Sequence, residues 1–238
     1  MAVLTTRTTL PFGRNEKAVA WLDPATGTAV QVEKLTLGRG AYHKVIRYTT
    51  DGTYTWRSEP RDQREASLGP ESWTRRKSYW ERPSAQVPPG GVLTDSYALL
   101  YLVTNDGLTG PDGHLVAYVI SDGDLIALDF ESAGVSTRFA SYEQVEGPDV
   151  RRRSGRLPVR TVTVQGRAMG GADAGKVDLG FLGMQGRLTI YLDVSTGLPV
   201  ELSGRARDVG RLTVRLENAV LDAVPGADRD PSQEPEPR

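Results

Sequence analysis

Trp21-Leu22-Asp23-Pro24-Ala25-Thr26-Gly27 and Tyr191-Leu192-Asp193-Val194-Ser195-Thr196-Gly197 read as the same turn, set near the two ends of the chain. They agree at the aromatic, Leu, Asp, Thr and Gly. A constant offset of 170 residues also aligns Val30 with Val200 and Gly40 with Gly210. The chemistry is local: Asp and Thr side chains accept hydrogen bonds from turn N–H groups, and Gly takes a positive φ that costs other residues roughly 1–2 kcal/mol. Val19 and Trp21 lead into the first turn, Val30 and Val32 lead out, and Leu188, Ile190 and Leu192 alternate into the second, so each turn closes a β-hairpin. Two hairpins that converged on good turn chemistry and a duplicated meander both fit. In either case Asp23, Gly27, Asp193 and Gly197 are structural turn residues, and the aspartates leave the list of catalytic candidates.

Working outward, the 238 residues include 26 Gly and 15 Pro, a composition suited to short strands and tight turns in one β domain. After Lys34 the apolar positions move from even to odd, at Leu35 and Leu37, which predicts a β-bulge near Lys34. Tyr42, Ile46 and Tyr48 mark a third strand, and Asp51-Gly52 turns it into Tyr54 and Trp56. Further strands are expected over 71–81, 114–121, 124–131, 135–145, 157–166, 177–184, 187–194, 199–207 and 211–222. One helix is predicted from Thr94 or Asp95, through Tyr97, Ala98, Leu99, Leu100, Tyr101, Leu102 and Val103, to Asn105 and Gly107. It is apolar nearly all round, so a sheet should enclose it. Residues 1–16 are expected to be flexible, 17–224 to form the single domain, and 225–238, rich in Pro and charge, to be disordered.

The run 187–221, with Tyr-Leu-Asp-Val-Ser-Thr-Gly-Leu-Pro-Val at 191–200 and Gly-Arg-Leu-Thr-Val-Arg-Leu at 210–216, resembles the end of the DUF3108 family of bacterial exported proteins. The segment Tyr97-Ala98-Leu99-Leu100-Tyr101 after Asp95 is similar to that family's central apolar segment. The hairpin is also similar to those of the wider LolA, LolB and RseB group of lipoprotein carriers. The resemblance implies a curved antiparallel half-barrel of about 10–12 strands around one central apolar helix. It also implies a periplasmic or envelope location, with a cytoplasmic one as the alternative because the first residues lack the apolar run of a signal peptide. It supplies no catalytic residue.

Charge and residue usage narrow the function. Lys plus Arg is 29 against 30 Asp plus Glu, leaving no net field to attract nucleic acid. There is no Cys, so no thiolate zinc site, disulfide or cysteine nucleophile. No stretch approaches the roughly 18 apolar residues of a transmembrane helix. His43 and His114 stand apart from any metal-ligand spacing, and no Gly-x-Ser-x-Gly motif occurs. The glycines at 170, 171 and 175 follow a strand without opening a helix and read as a loop rather than a phosphate site. We therefore expect no enzyme, no cofactor and no metal. The leading expectation is a binding module that holds a lipid, acyl chain or apolar peptide on a concave face with Trp56, Trp73, Tyr97, Leu100 and Tyr101. The alternative is an envelope adaptor that contacts a protein partner through the basic run Arg151, Arg152 and Arg153.

Overall fold

The computed structural model describes residues 1–10, 13–83, 85–104, 115–121, 123–169, 177, 179, 181, 182, 184–206 and 210–221. These form two sheets. The first is a six-stranded antiparallel meander: β1 (Ala2–Leu10), β2 (Arg14–Leu22), β3 (Ala29–Leu37), β4 (Tyr42–Thr49), β5 (Gly52–Glu59) and β6 (Arg75–Glu81). Between β5 and β6 lies a one-turn helix, α1 (Gln63–Ala66).

The second sheet runs in the order β13-β12-β11-β10-β9-β8-β7. Its strands are β7 (Val92–Leu93), β8 (Leu115–Ser121), β9 (Asp124–Glu146), β10 (Asp149–Ala168), β11 (Met184–Asp193), β12 (Pro199–Ala206) and β13 (Gly210–Arg215). A last strand, β14 (Asn218–Leu221), pairs in parallel with β9 over 143–146.

This architecture corrects the half-barrel. Among the described residues neither sheet is closed or strongly curved, and no long central helix occurs. The apolar segment is a 3-10 turn, Ser96–Ala98, followed by α2 (Leu99–Thr104). Its all-round apolarity has a different cause: it lies between two sheets rather than inside one. Leu99, Leu102 and Val103 join Ala117, Leu128, Val164 and Ile190 of the second sheet in the main core, while Ala98 packs with Ala20, Leu22, Ala29 and Val32 of the first. Hydrogen bonds fix the segment to both layers. Thr94 N–H donates to Tyr118 C=O at 2.8 Å, and the Thr94 hydroxyl donates to Gly27 C=O at 2.8 Å.

The two hairpins share the main hydrogen bonds of their turns. In the first, Ala25 N–H reaches Asp23 Oδ1 at 2.9 Å and Gly27 N–H reaches Asp23 C=O at 2.8 Å; in the second, Ser195 N–H reaches Asp193 Oδ1 at 2.8 Å and Gly197 N–H reaches Asp193 C=O at 2.7 Å. Gly27 and Gly197 both sit at φ 71°. Even the irregularity repeats: Trp21 faces Gln31 but Leu22 faces Ala29, and Tyr191 faces Glu201 but Leu192 faces Pro199.

That irregularity displaces the predicted bulge. The extra residue on β3 is Val30, and the register runs unbroken past Lys34. Val32, Lys34 and Thr36 are all buried on one face, so the parity never changes; a charged and a polar residue occupy positions that a purely apolar reading assigns to solvent. The N-terminal segment is also corrected. Residues 2–10 form β1, aligned with β2 from Ala2 opposite Leu22 to Leu10 opposite Arg14. Its alternation is carried by Thr6 and Thr8 as much as by Ala2 and Leu4, and β-branched Thr suits a half-buried strand.

The expected strands at 124–131, 135–145 and 157–166 merge into one long hairpin of 23 and 20 residues, bent where the β9–β10 register shifts between Arg160 and Val162. Of the strand expected at 177–184, the described residues 177, 179, 181 and 182 are buried but belong to no strand, and β11 begins at Met184. His114, the loop at 170–175 and the tail 225–238 lie outside the described residues.

Candidate functional site

The five residues expected to line a concave face occupy different places. Trp56 projects from the face of β5 that it shares with His43 of β4, their rings meeting edge to face at 5.4 Å. Trp73 is fully buried beside α1, its indole N–H donating to Glu65 C=O at 3.0 Å. Tyr97 is enclosed between the sheets, 4.9 Å from the Phe181 ring. Leu100 borders the main core, and the Tyr101 hydroxyl donates to Pro24 C=O at 3.0 Å, tying α2 to the first hairpin. Only Tyr97, Leu100 and Tyr101 share a neighbourhood, because consecutive turns of one short helical segment carry them. His43 binds Glu33 Oε1 through Nε2 at 2.8 Å and takes part in strand pairing rather than in a ligand set. Among the described residues no three His, Asp or Glu side chains gather as metal ligands, and no helix is long and apolar enough to cross a membrane.

Two polar clusters stand out instead. The first centres on Asp95, which sequence reading used only as a helix cap. Its Oδ1 accepts the Tyr97 N–H at 2.9 Å, as a cap should. Its Oδ2 lies 3.0 Å from Lys34 Nζ and accepts the Tyr48 hydroxyl at 2.9 Å. Lys34 Nζ also lies 4.7 Å from the centre of the Tyr97 ring. Burial, with the Asp95 charge behind it, pushes the Tyr48 hydroxyl well above its ordinary pKa. Beside them Lys44, opposite Lys34 on β4, has its pKa lowered first by burial and then by the Lys34 charge. Every Asp95 contact is internal, so this cluster joins the first sheet to the segment between the layers.

The second cluster lies where Tyr142 pairs with Arg153, in the half of the β9–β10 hairpin nearer its turn. Asp193 is 1% exposed, yet Asp23, its counterpart in the first hairpin, is only half-buried. The difference is what covers it. Tyr142 of β9 donates its hydroxyl to Asp193 Oδ2 at 2.7 Å, and Arg153 of β10 donates to Ser195 Oγ at 2.6 Å, its Nη1 lying 3.6 Å from Asp193 Oδ2. Arg138 lies over the Tyr191 ring at 4.2 Å and donates to its hydroxyl at 2.7 Å. A small apolar core of Ala140, Tyr142, Val159, Tyr191 and Val200 completes the cluster. The second hairpin thus anchors a long arm.

Past this cluster the arm is open. On β10, residues 149–152, 154 and 156 are exposed, and across 149–157 the ladder that the described residues show is the one to β9. Of the three arginines expected to meet a partner, Arg153 is committed to the Asp193 turn, while Arg151 and Arg152 are exposed and make no ion pair among the described residues. Arg156, further along β10, is exposed as well. Val135, Phe139, Val150 and Val220 are 68, 69, 64 and 58% exposed, and Val220, Val145 and Val150 lie side by side across β14, β9 and β10. A shallow polar hollow of about 350 Å3, lined by Asp129, Glu131, Thr163, Gln165 and Arg187, lies elsewhere on the second sheet; Arg187 donates to Thr163 Oγ1 there at 3.3 Å.

The chain matches no protein-family model, no curated protein and no solved structure.

Proposed function

We propose that this protein is a non-catalytic interaction module that contacts a protein partner through the β9–β10 arm. The observation that carries the reading is the combination on β10 of an unshared edge, exposed Arg151, Arg152 and Arg156, and exposed Val150 beside Val145 and Val220. Monomeric proteins rarely leave apolar residues in a row on a projecting strand unless something covers them. The Asp193 cluster supports the reading: Tyr142 and Arg153 hold the arm to the body and so present it in one orientation. Envelope location is part of the proposal and rests on the resemblance to DUF3108.

Photo-crosslinking in cells tests it. A crosslinker at Val150 should give a discrete protein adduct that is lost in Arg151→Glu/Arg152→Glu, while one at Tyr54, exposed on the first sheet, should not. Equal adducts at both positions, or co-purified lipid retained with no adduct at Val150, would favour a surface other than the arm or the apolar-ligand reading.

A further inference from the structure

The β9–β10 turn fixes which backbone groups of the arm are free. Glu146 pairs with Asp149 across a two-residue turn, with Gly147 at φ 56°. In a two-residue hairpin the closing pair exchanges both hydrogen bonds, and pairs then alternate between bonded and non-bonded along an antiparallel ladder. Asp149, Arg151 and Arg153 therefore bond to β9. Val150, Arg152, Ser154 and Arg156 point their N–H and C=O groups the other way. Pro158 is the next residue in this second series, and it checks the phase twice. It has no N–H to offer β9, and its C=O accepts the Val194 N–H at 3.1 Å from the side away from β9. The outward groups of 150–156 are a continuation of an edge that the chain already uses once.

Side chains flank that edge on both faces. Arg152 and Arg156 project to one side and Arg151 to the other, the side it shares with Arg153, which is already taken up by Asp193 and Ser195. An added strand would place its residues about 5 Å from these arginines, so acidic side chains would be favoured on either face and basic ones rejected. Charge on an edge also guards against self-association. Over 150–156 all of it has one sign, although exposed Asp149 precedes it, so a second copy's β10 would meet Arg with Arg, whereas an acidic strand would be admitted.

We infer that the partner of the arm is an acidic extended segment of another protein that adds as a strand to β10 at Val150, Arg152, Ser154 and Arg156. The main-chain bonds supply affinity and the arginines supply choice. This rests on the arm being the contact surface, as proposed above.

The test uses the full chain, a capped peptide of alternating Glu and Val, its Lys-Val counterpart, and a Glu-Val peptide N-methylated on every residue, so that neither of its edges keeps a donor. The Glu-Val peptide should bind, and the Lys-Val peptide should bind at least about tenfold more weakly. N-methylation should weaken binding about tenfold or more, as should Ser154→Pro, which removes one outward N–H in the phase that Pro158 already occupies. Equal binding of the N-methylated and parent peptides would overturn strand addition and leave only charge attraction at the arm. Absence of Glu-Val binding would overturn it as well, with the crosslinks at Val150 then deciding separately whether the arm is a contact surface at all.

Discussion

Lys34 Nζ lies 3.0 Å from Asp95 Oδ2, with only 11 and 5% of the two side chains exposed, and this pair ties the first sheet to the segment between the layers. Losing one partner leaves a buried charge without its counterpart, a loss of about 3–5 kcal/mol. Asp95→Ala also removes the acceptor for Tyr48 and the cap on Tyr97 N–H. Urea unfolding of Asp95→Ala should show destabilisation in that range, and Lys34→Met combined with Asp95→Leu should recover the part due to the unpaired Lys34 charge but not the parts due to Tyr48 and the Tyr97 N–H. A loss under about 1 kcal/mol for Asp95→Ala would show that the pair contributes little to joining the layers.

Asp193 gives a pH signature. Burial acts to raise its pKa, but the Ser195 and Tyr142 hydroxyls, the Ser195 N–H and Arg153 outweigh that and hold it below the ordinary carboxylate value. A carboxyl lowered on folding stabilises the fold above its unfolded pKa, about 3.9, and the contribution fades as pH falls through the folded value. Glu65 loses its contribution in the same direction. The Thr74 hydroxyl, with Arg61 and Thr74 N–H groups, holds it at about 2. The informative quantity is therefore a difference. Tyr142→Phe, which removes one donor to Asp193, should be destabilised near pH 7 and should lose less further stability than wild type below about pH 4. Parallel curves for the two proteins would contradict the Tyr142–Asp193 bond.

Replacing Lys44 should have the opposite effect on stability to replacing Asp95. Its pKa is lowered on folding, by burial and then by Lys34, so the unfolded chain holds the extra proton and stability rises as pH climbs from the folded value towards about 10.4. Lys44→Met should be neutral or stabilising in thermal melts near pH 7, and should flatten the rise of stability at alkaline pH. A destabilisation of about 2 kcal/mol or more would show that Lys44 has a partner whose loss matters.

How far the sequence reached is clearest at the hairpins. Asp23 and Gly27, and Asp193 and Gly197, were legible because turn chemistry is local: two or three side chains and one positive φ determine it. Lys34 was illegible for the converse reason. Its burial depends on Asp95, 61 positions on, and no pattern in β3 announces a carboxylate that another segment brings. The half-barrel failed similarly, since an apolar helical segment enclosed by one curved sheet and one held between two flatter sheets have the same periodicity. Of the candidate site, the arginine run was visible as charge. Its division into Arg153, turned to Asp193, and Arg151 and Arg152, left exposed, follows from where the Asp193 turn meets β10, which only the fold supplies; alternation does not make it, since Arg151 and Arg153 share a face. Phe139 falls in an expected strand and Val150 outside any, and neither is marked in the sequence, because nothing local shows an apolar side chain as uncovered.

The central claim is that β10 presents a free edge of defined phase, and residue-resolved amide hydrogen exchange tests it most directly. Arg151 and Arg153, bonded to β9, should exchange slowly, and Val150, Arg152 and Ser154 rapidly, an alternation with a period of two residues that saturating Glu-Val peptide abolishes by protecting the rapid set. Uniform protection across 150–154 in the free protein, or rapid exchange of all five amides, would contradict the account.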